Sequence, residues 1–102
     1  MIKDPQFSAT VKEILDLIRG ISPGKSVELR VPPYGAIQCV AGSNHRRGTP
    51  PNTVEMSGQT LVRLINEPAL WVTLCESGEV RASGLLSDLS KVFAQAAVQY
   101  RA

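Results

Sequence analysis

Phe7, Val11, Ile14, Leu15 and Ile18 recur at the three- and four-residue spacing of a single helical stripe. Asp4 suits the N-cap of that helix and Pro5 its first position, where a missing N–H costs nothing. Gly20 is the expected stop, and Ser22-Pro23-Gly24 a turn. From Lys25 the period changes to two. Val27, Leu29 and Val31 fall on one face of a strand and Ser26, Glu28 and Arg30 on the other. Pro32-Pro33 ends that strand or puts it at an edge, because neither residue can donate to a ladder. YGAIQCVA then resumes as a second strand, paired with the first as an antiparallel hairpin. Its small and apolar residues occupy both faces, which predicts deeper burial than the first strand.

The stretch GSNHRRGTPP reads as a loop by composition, and Thr53-Val54-Glu55 as a short third strand after it. Ser57 opens a helix carrying Leu61, Leu64 and Ile65. Asn66 is the expected cap of a further helix, with Pro68 in its first turn and Leu70, Trp71, Leu74 and Cys75 on its apolar side. EVRASG reads as a strand with Val80 and Ala82 on one face and Arg81 and Ser83 on the other. The last helix begins near Ser87 and carries Leu89, Val92, Phe93, Ala96, Ala97 and Tyr100 toward the core or a partner. Strands are not regularly separated by crossover helices. The pattern therefore predicts an α+β domain over residues 1–102, in the order α-β-β-β-α-α-β-α, with a mostly antiparallel sheet covered on one face by helices.

Composition adds few constraints. Of 102 residues, 43% are hydrophobic and 20% charged, a globular balance with room for one core. The net charge of +2 is too small to indicate nucleic acid. Neither a signal-peptide run nor a bilayer-length apolar run is present, so a cytoplasmic location is expected. Cys39 and Cys75 lie in apolar segments without histidines nearby, which fits buried reduced thiols and gives no metal or cofactor site.

Catalytic motifs are missing. The nucleophile elbow GxSxG and the phosphate-binding GxxxxGK[ST] and GxGxxG do not occur. His45-Arg46-Arg47 is the one basic cluster, readable as an anion site or as a solvated loop tip. Glu55, at the rejoining of loop and sheet, is either a bidentate partner for Arg46 or Arg47 or an ordinary surface glutamate. Trp71 serves as core or as the wall of a pocket.

RVPPYGAIQCVAGSNHRRGTPPNTVEM, with Tyr34, His45 and the Arg47-Gly48-Thr49-Pro50-Pro51-Asn52 run, resembles the actinobacterial sterol-carrier-like domain, a bacterial relative of the sterol carrier protein type-2 family. Leu61, Leu64, Trp71, GEVRASG and Asp88-Leu89-Ser90 continue the resemblance in order. It implies a layer of about five strands with helices over one face, and in better-known relatives a tunnel between them that takes an acyl chain or sterol. The expectation is a non-enzymatic module that binds a lipid, acyl or sterol-like molecule. Leu61, Leu64, Trp71, Leu74, Leu89 and Phe93 would line the cavity, the loop of His45, Arg46 and Arg47 would meet the polar head group, and Tyr34, Thr49 and Glu55 are further ligand-binding candidates. The alternative is an accessory domain with a filled core that forms a homodimer or docks on a partner protein. Similar domains also occur attached to mycothiol-dependent isomerase-like modules, which leaves an accessory part in thiol-dependent isomerisation as a third reading.

Overall fold

The computed structural model describes residues 4–42 and 52–101. Helix α1 (Pro5–Ile21) begins as its sequence dictates: the Gln6 N–H donates to the Asp4 carboxylate at 2.9 Å, and Val11, Ile14, Leu15 and Ile18 are buried. It runs through Gly20, and Ser22 closes it by donating its N–H to the Ile18 carbonyl. Gly20 faces open space, so nothing at that position forces termination.

Strands β1 (Val27–Val31) and β2 (Gly35–Cys39) form the expected antiparallel hairpin, with Val31 opposite Gly35 and a cis Pro32–Pro33 peptide in the connection. Strand β3 (Asn52–Met56) pairs with β1 in parallel, and β4 (Val80–Ser83) pairs with β3 antiparallel. The order is β2-β1-β3-β4, a mixed sheet of four strands among the described residues rather than about five. Two of its three ladders are antiparallel. In the parallel one, β3 lies on the opposite side of β1 from β2, with Asn52 beside Val27.

The expectation of a well-buried β2 is overturned. It is an edge strand in which only Ile37 and Cys39 are buried, while Gly35, Ala36 and Gln38 are exposed. Small residues on both faces signal shallow packing here, because among the described residues nothing covers the outward row.

Alternation divides the sheet into two unlike faces. Val27, Leu29, Val31, Ile37, Cys39, Val54, Met56 and Val80 turn inward and are buried. Glu28, Arg30, Ala36, Gln38, Thr53, Glu55, Arg81 and Ser83 form an outward polar face. Helices α2 (Gly58–Asn66), α3 (Trp71–Glu76) and α4 (Ser90–Arg101) join α1 in burying apolar residues in the same core cluster as the inward face.

Ser57 caps α2, accepting the Thr60 N–H on its hydroxyl at 3.1 Å. Asn66 does not cap the next helix. It is the last residue of α2 and its side-chain amide donates back to the Val62 carbonyl, leaving Pro68 to open a 3-10 turn (Pro68–Leu70) that leads into α3. Helix α4 starts at Ser90 rather than Ser87, because Ser87 is spent on a turn, where its N–H and hydroxyl both donate to the Gly84 carbonyl.

Asn52 is the principal polar tie within the core. Only 4% exposed, it donates through Nδ2 to the Ser26 carbonyl at 2.8 Å and accepts the Leu86 N–H on Oδ1 at 2.9 Å. It thus fastens the foot of β3 both to the start of β1 and to the turn after β4. Gly84 must be glycine for this: it has φ +109°, and a Cβ there would sit 2.2 Å from the Asn52 Oδ1.

Candidate functional site

The six apolar residues expected to line a cavity all enter one core cluster with the inward face of the sheet. Leu61 and Leu64 come from α2, Trp71 and Leu74 from α3, Leu89 from the approach to α4 and Phe93 from its first turn. The stripes that put them there are the periodicities seen in the sequence: a residue every third or fourth position on each helix, with the wet face opposite. Their exposure is 0–5%. The Trp71 and Phe93 rings lie 5.9 Å apart between centroids at a 33° tilt, an aromatic contact where α3 meets α4. Among the described residues, no buried side-chain polar atom lacks a hydrogen-bond partner. The layer therefore offers apolar contact and no orphaned polar group to anchor a head group inside.

Tyr34 stands apart from that layer. It sits in the β1–β2 connection, its ring edge-on to Phe7 at 5.5 Å and 67°. Both rings press against the first turn of α2, where a Cβ on Gly58 would come within 2.8 Å of Phe7 and 2.9 Å of Tyr34. Tyr34 also borders a surface cleft of about 210 Å³ with Lys12, Leu15, Asp16, Arg19 and Ile37.

Glu55 lies on the outward face and pairs with Arg81, its cross-strand neighbour on β4, at 2.6 Å. Arg30 is its neighbour on the other side, in parallel register, and is itself held by Glu28 at 2.9 Å. The partner of Glu55 was thus available in the sequence at Arg81, the outward residue of the fourth strand; the register that aligns them was not. Both arginine–glutamate pairs are solvent-facing, so each contributes little to stability. Arg30, Thr53, Glu55, Arg81 and Ser83 border an open cleft of about 420 Å³ at the β4 side of the sheet. His45, Arg46, Arg47 and Thr49 lie outside the described residues.

The cysteines have different surroundings. Burial pushes the Cys39 thiol up to about 11, so it stays protonated at neutral pH. Cys75 is only half-buried. Desolvation raises its pKa, and the charges of Asp88 and Glu76 add to the rise, which opposes thiolate formation. Among the described residues, no group of three His, Cys, Asp or Glu side chains could hold a metal ion, and no helix is long and apolar enough to cross a membrane.

A solved structure titled UbiJ-SCP2 ubiquinone synthesis protein matches with a TM-score of 0.56 and 18% identity, covering 100% of this chain and 98% of that one; the shared property is the fold. No curated protein sequence matches the chain. The sequence matches the bacterial SCP ortholog family over residues 4–94, from the cap of α1 into α4. With its sheet, its helical layer and nearly its whole length accounted for by that match, the chain belongs to the bacterial SCP ortholog family.

Proposed function

We propose that the domain is a non-catalytic binding module for one apolar or amphipathic molecule of the lipid, acyl or sterol-like class. The observation that carries this reading is the continuous apolar layer formed by Leu61, Leu64, Trp71, Leu74, Leu89 and Phe93 between the sheet and the helices. Sterol-carrier-like domains commonly take lipids, and membership of the family makes this layer the place to look. Because the six side chains are already almost fully buried, an incoming chain has to part the helices that bury them. Transfer of a palmitate-length chain from water returns on the order of 10 kcal/mol, at about 0.8 kcal/mol per methylene, which offsets such repacking. The polar end stays outside the layer, where no buried donor or acceptor awaits it. His45, Arg46 and Arg47 are assigned to that end on sequence grounds.

Trp71, the chain's single tryptophan, supplies the readout. Titration with palmitate or cholesterol is expected to change its emission saturably and to raise the melting temperature. Unchanged emission and unchanged melting up to the solubility limit of both ligands would refute the reading. A second reading, an accessory domain with a filled core, draws on the near-complete burial of the same six residues and on the surface position of the clefts described above. It predicts flat titrations, together with a stable dimer in light scattering or capture of a partner protein.

A further inference from the structure

Edge strands are normally protected against new pairing by charged residues or proline on the strand, by bulges or by shortness. Strand β4 follows that rule: it has four residues, Arg81 on its outward face and Glu79 before it. Strand β2 does not. Its sequence GAIQC contains no charge, no proline and only small or neutral outward residues. Among the described residues it pairs on one side only, with β1. Two clefts that share Arg19, Ala36 and Ile37 run along it, of about 210 and 420 Å³. The first is bounded by Lys12, Leu15, Asp16 and Arg19 of α1 opposite Tyr34 to Ile37, and the second by Arg19, Pro23, Gly24 and Lys25 opposite Ala36 to Gln38. Among the described residues, the groove is therefore floored by a strand edge that no further strand covers, and it is lined by three cations, Lys12 and Arg19 of α1 and Lys25 beyond it, against one carboxylate, Asp16.

We propose that the free edge of β2 receives an extended acidic segment of a partner protein as an added strand, with Lys12 and Arg19 meeting its carboxylates. Main-chain hydrogen bonds to the edge supply affinity and the flanking groups supply specificity, as in other cases of strand addition. Lys12, Leu15 and Arg19 follow one another along the α1 flank of the groove, cation, apolar, cation. Lys12 and Arg19 are separated by about 10 Å of helix rise. Two carboxylates on the same face of a strand, four residues apart, are separated by about 13 Å, within reach of those two long side chains. The recognised segment thus carries an acid, an apolar residue two positions on, and a second acid two positions further. Arg19 already holds Asp16 at 2.7 Å, but both groups are more than half exposed, so the exchange of partner costs little.

The test uses the whole chain labelled for amide NMR and a capped Thr-Asp-Thr-Val-Thr-Asp-Thr peptide. A control peptide has lysine in place of both aspartates. The acidic peptide is expected to shift the amides of Gly35, Ala36, Ile37 and Gln38 and to slow their hydrogen exchange, while the lysine peptide leaves them unmoved. Lys12→Glu and Arg19→Glu each lie on the exposed surface and are expected to weaken binding by about tenfold without changing the melting temperature. Unmoved β2 amides at about 1 mM acidic peptide would overturn the proposal. Equal binding of the lysine peptide, or full binding by the Lys12→Glu/Arg19→Glu double variant, would overturn it too.

Discussion

Two glycines show how far a single Cβ matters. Gly58 begins α2 where Phe7 and Tyr34 close over it, and a methyl there would lie under 3.0 Å from both rings. Gly58→Ala is therefore expected to lose about 1–3 kcal/mol in urea unfolding despite the better helix propensity of alanine. Gly20 lies inside α1 with nothing within 4 Å of its missing Cβ. Gly20→Ala is expected to gain about 0.5–1 kcal/mol through propensity and reduced freedom of the unfolded chain. Opposite signs from the same substitution would confirm that packing, not helix propensity, fixes the first of these positions. The sequence marked Gly20 as a stop and said nothing of Gly58, because a glycine's neighbours in space are invisible in its neighbours along the chain.

The elements were legible wherever one face alone decides their burial. The stripe of α1, the alternation of β1 and the cap at Ser57 follow local rules, and each lies where its sequence puts it. Asn66 and Ser87 depart from the expected caps because competing local hydrogen bonds win, and β2 departs from the expected burial because burial depends on what lies beside a strand. Asn66 turns back onto its own helix, Ser87 serves a turn, and among the described residues β2 lacks a neighbour on one side. Asn52 enters the sequence reading only as the end of the resembling run, because the partners that make it tie three elements together lie 26 and 34 positions away. Asn52→Ala leaves the Ser26 carbonyl and the Leu86 N–H without their partner and is expected to cost about 1–3 kcal/mol, read by chemical denaturation.

The entry to α4 has a pH-dependent tie. Asp88 accepts the Ser90 N–H at 2.9 Å, and hydrogen bonds from the Ser90 side chain and main chain hold its carboxyl below its usual range. A lowered native pKa means stability present above the unfolded value and lost as pH falls through the native one. Asp88→Ala is expected to cost no more than about 1 kcal/mol at neutral pH. The gap from the parent protein should close below about pH 4. A gap that stays constant from neutral to acidic pH would contradict this account.

At the scale of the whole molecule, the sheet separates two kinds of chemistry: a dry layer facing the helices and a polar face with paired arginines and glutamates. The layer's members, Leu61, Leu64, Trp71, Leu74, Leu89 and Phe93, were legible from helical periodicity and family resemblance, since core and cavity wall demand the same residue types. Their mutual packing was not, because periodicity reports which way a side chain points and not what fills the space beyond it. In the proposed function this layer, and not the surface, accommodates the apolar ligand. The most direct measurement is the set of intermolecular NOEs between the acyl protons of bound palmitate and methyl-labelled leucines. The account predicts contacts to Leu61, Leu64, Leu74 and Leu89, whereas contacts confined to the exposed Leu85 and Leu86, or none at all, would contradict it.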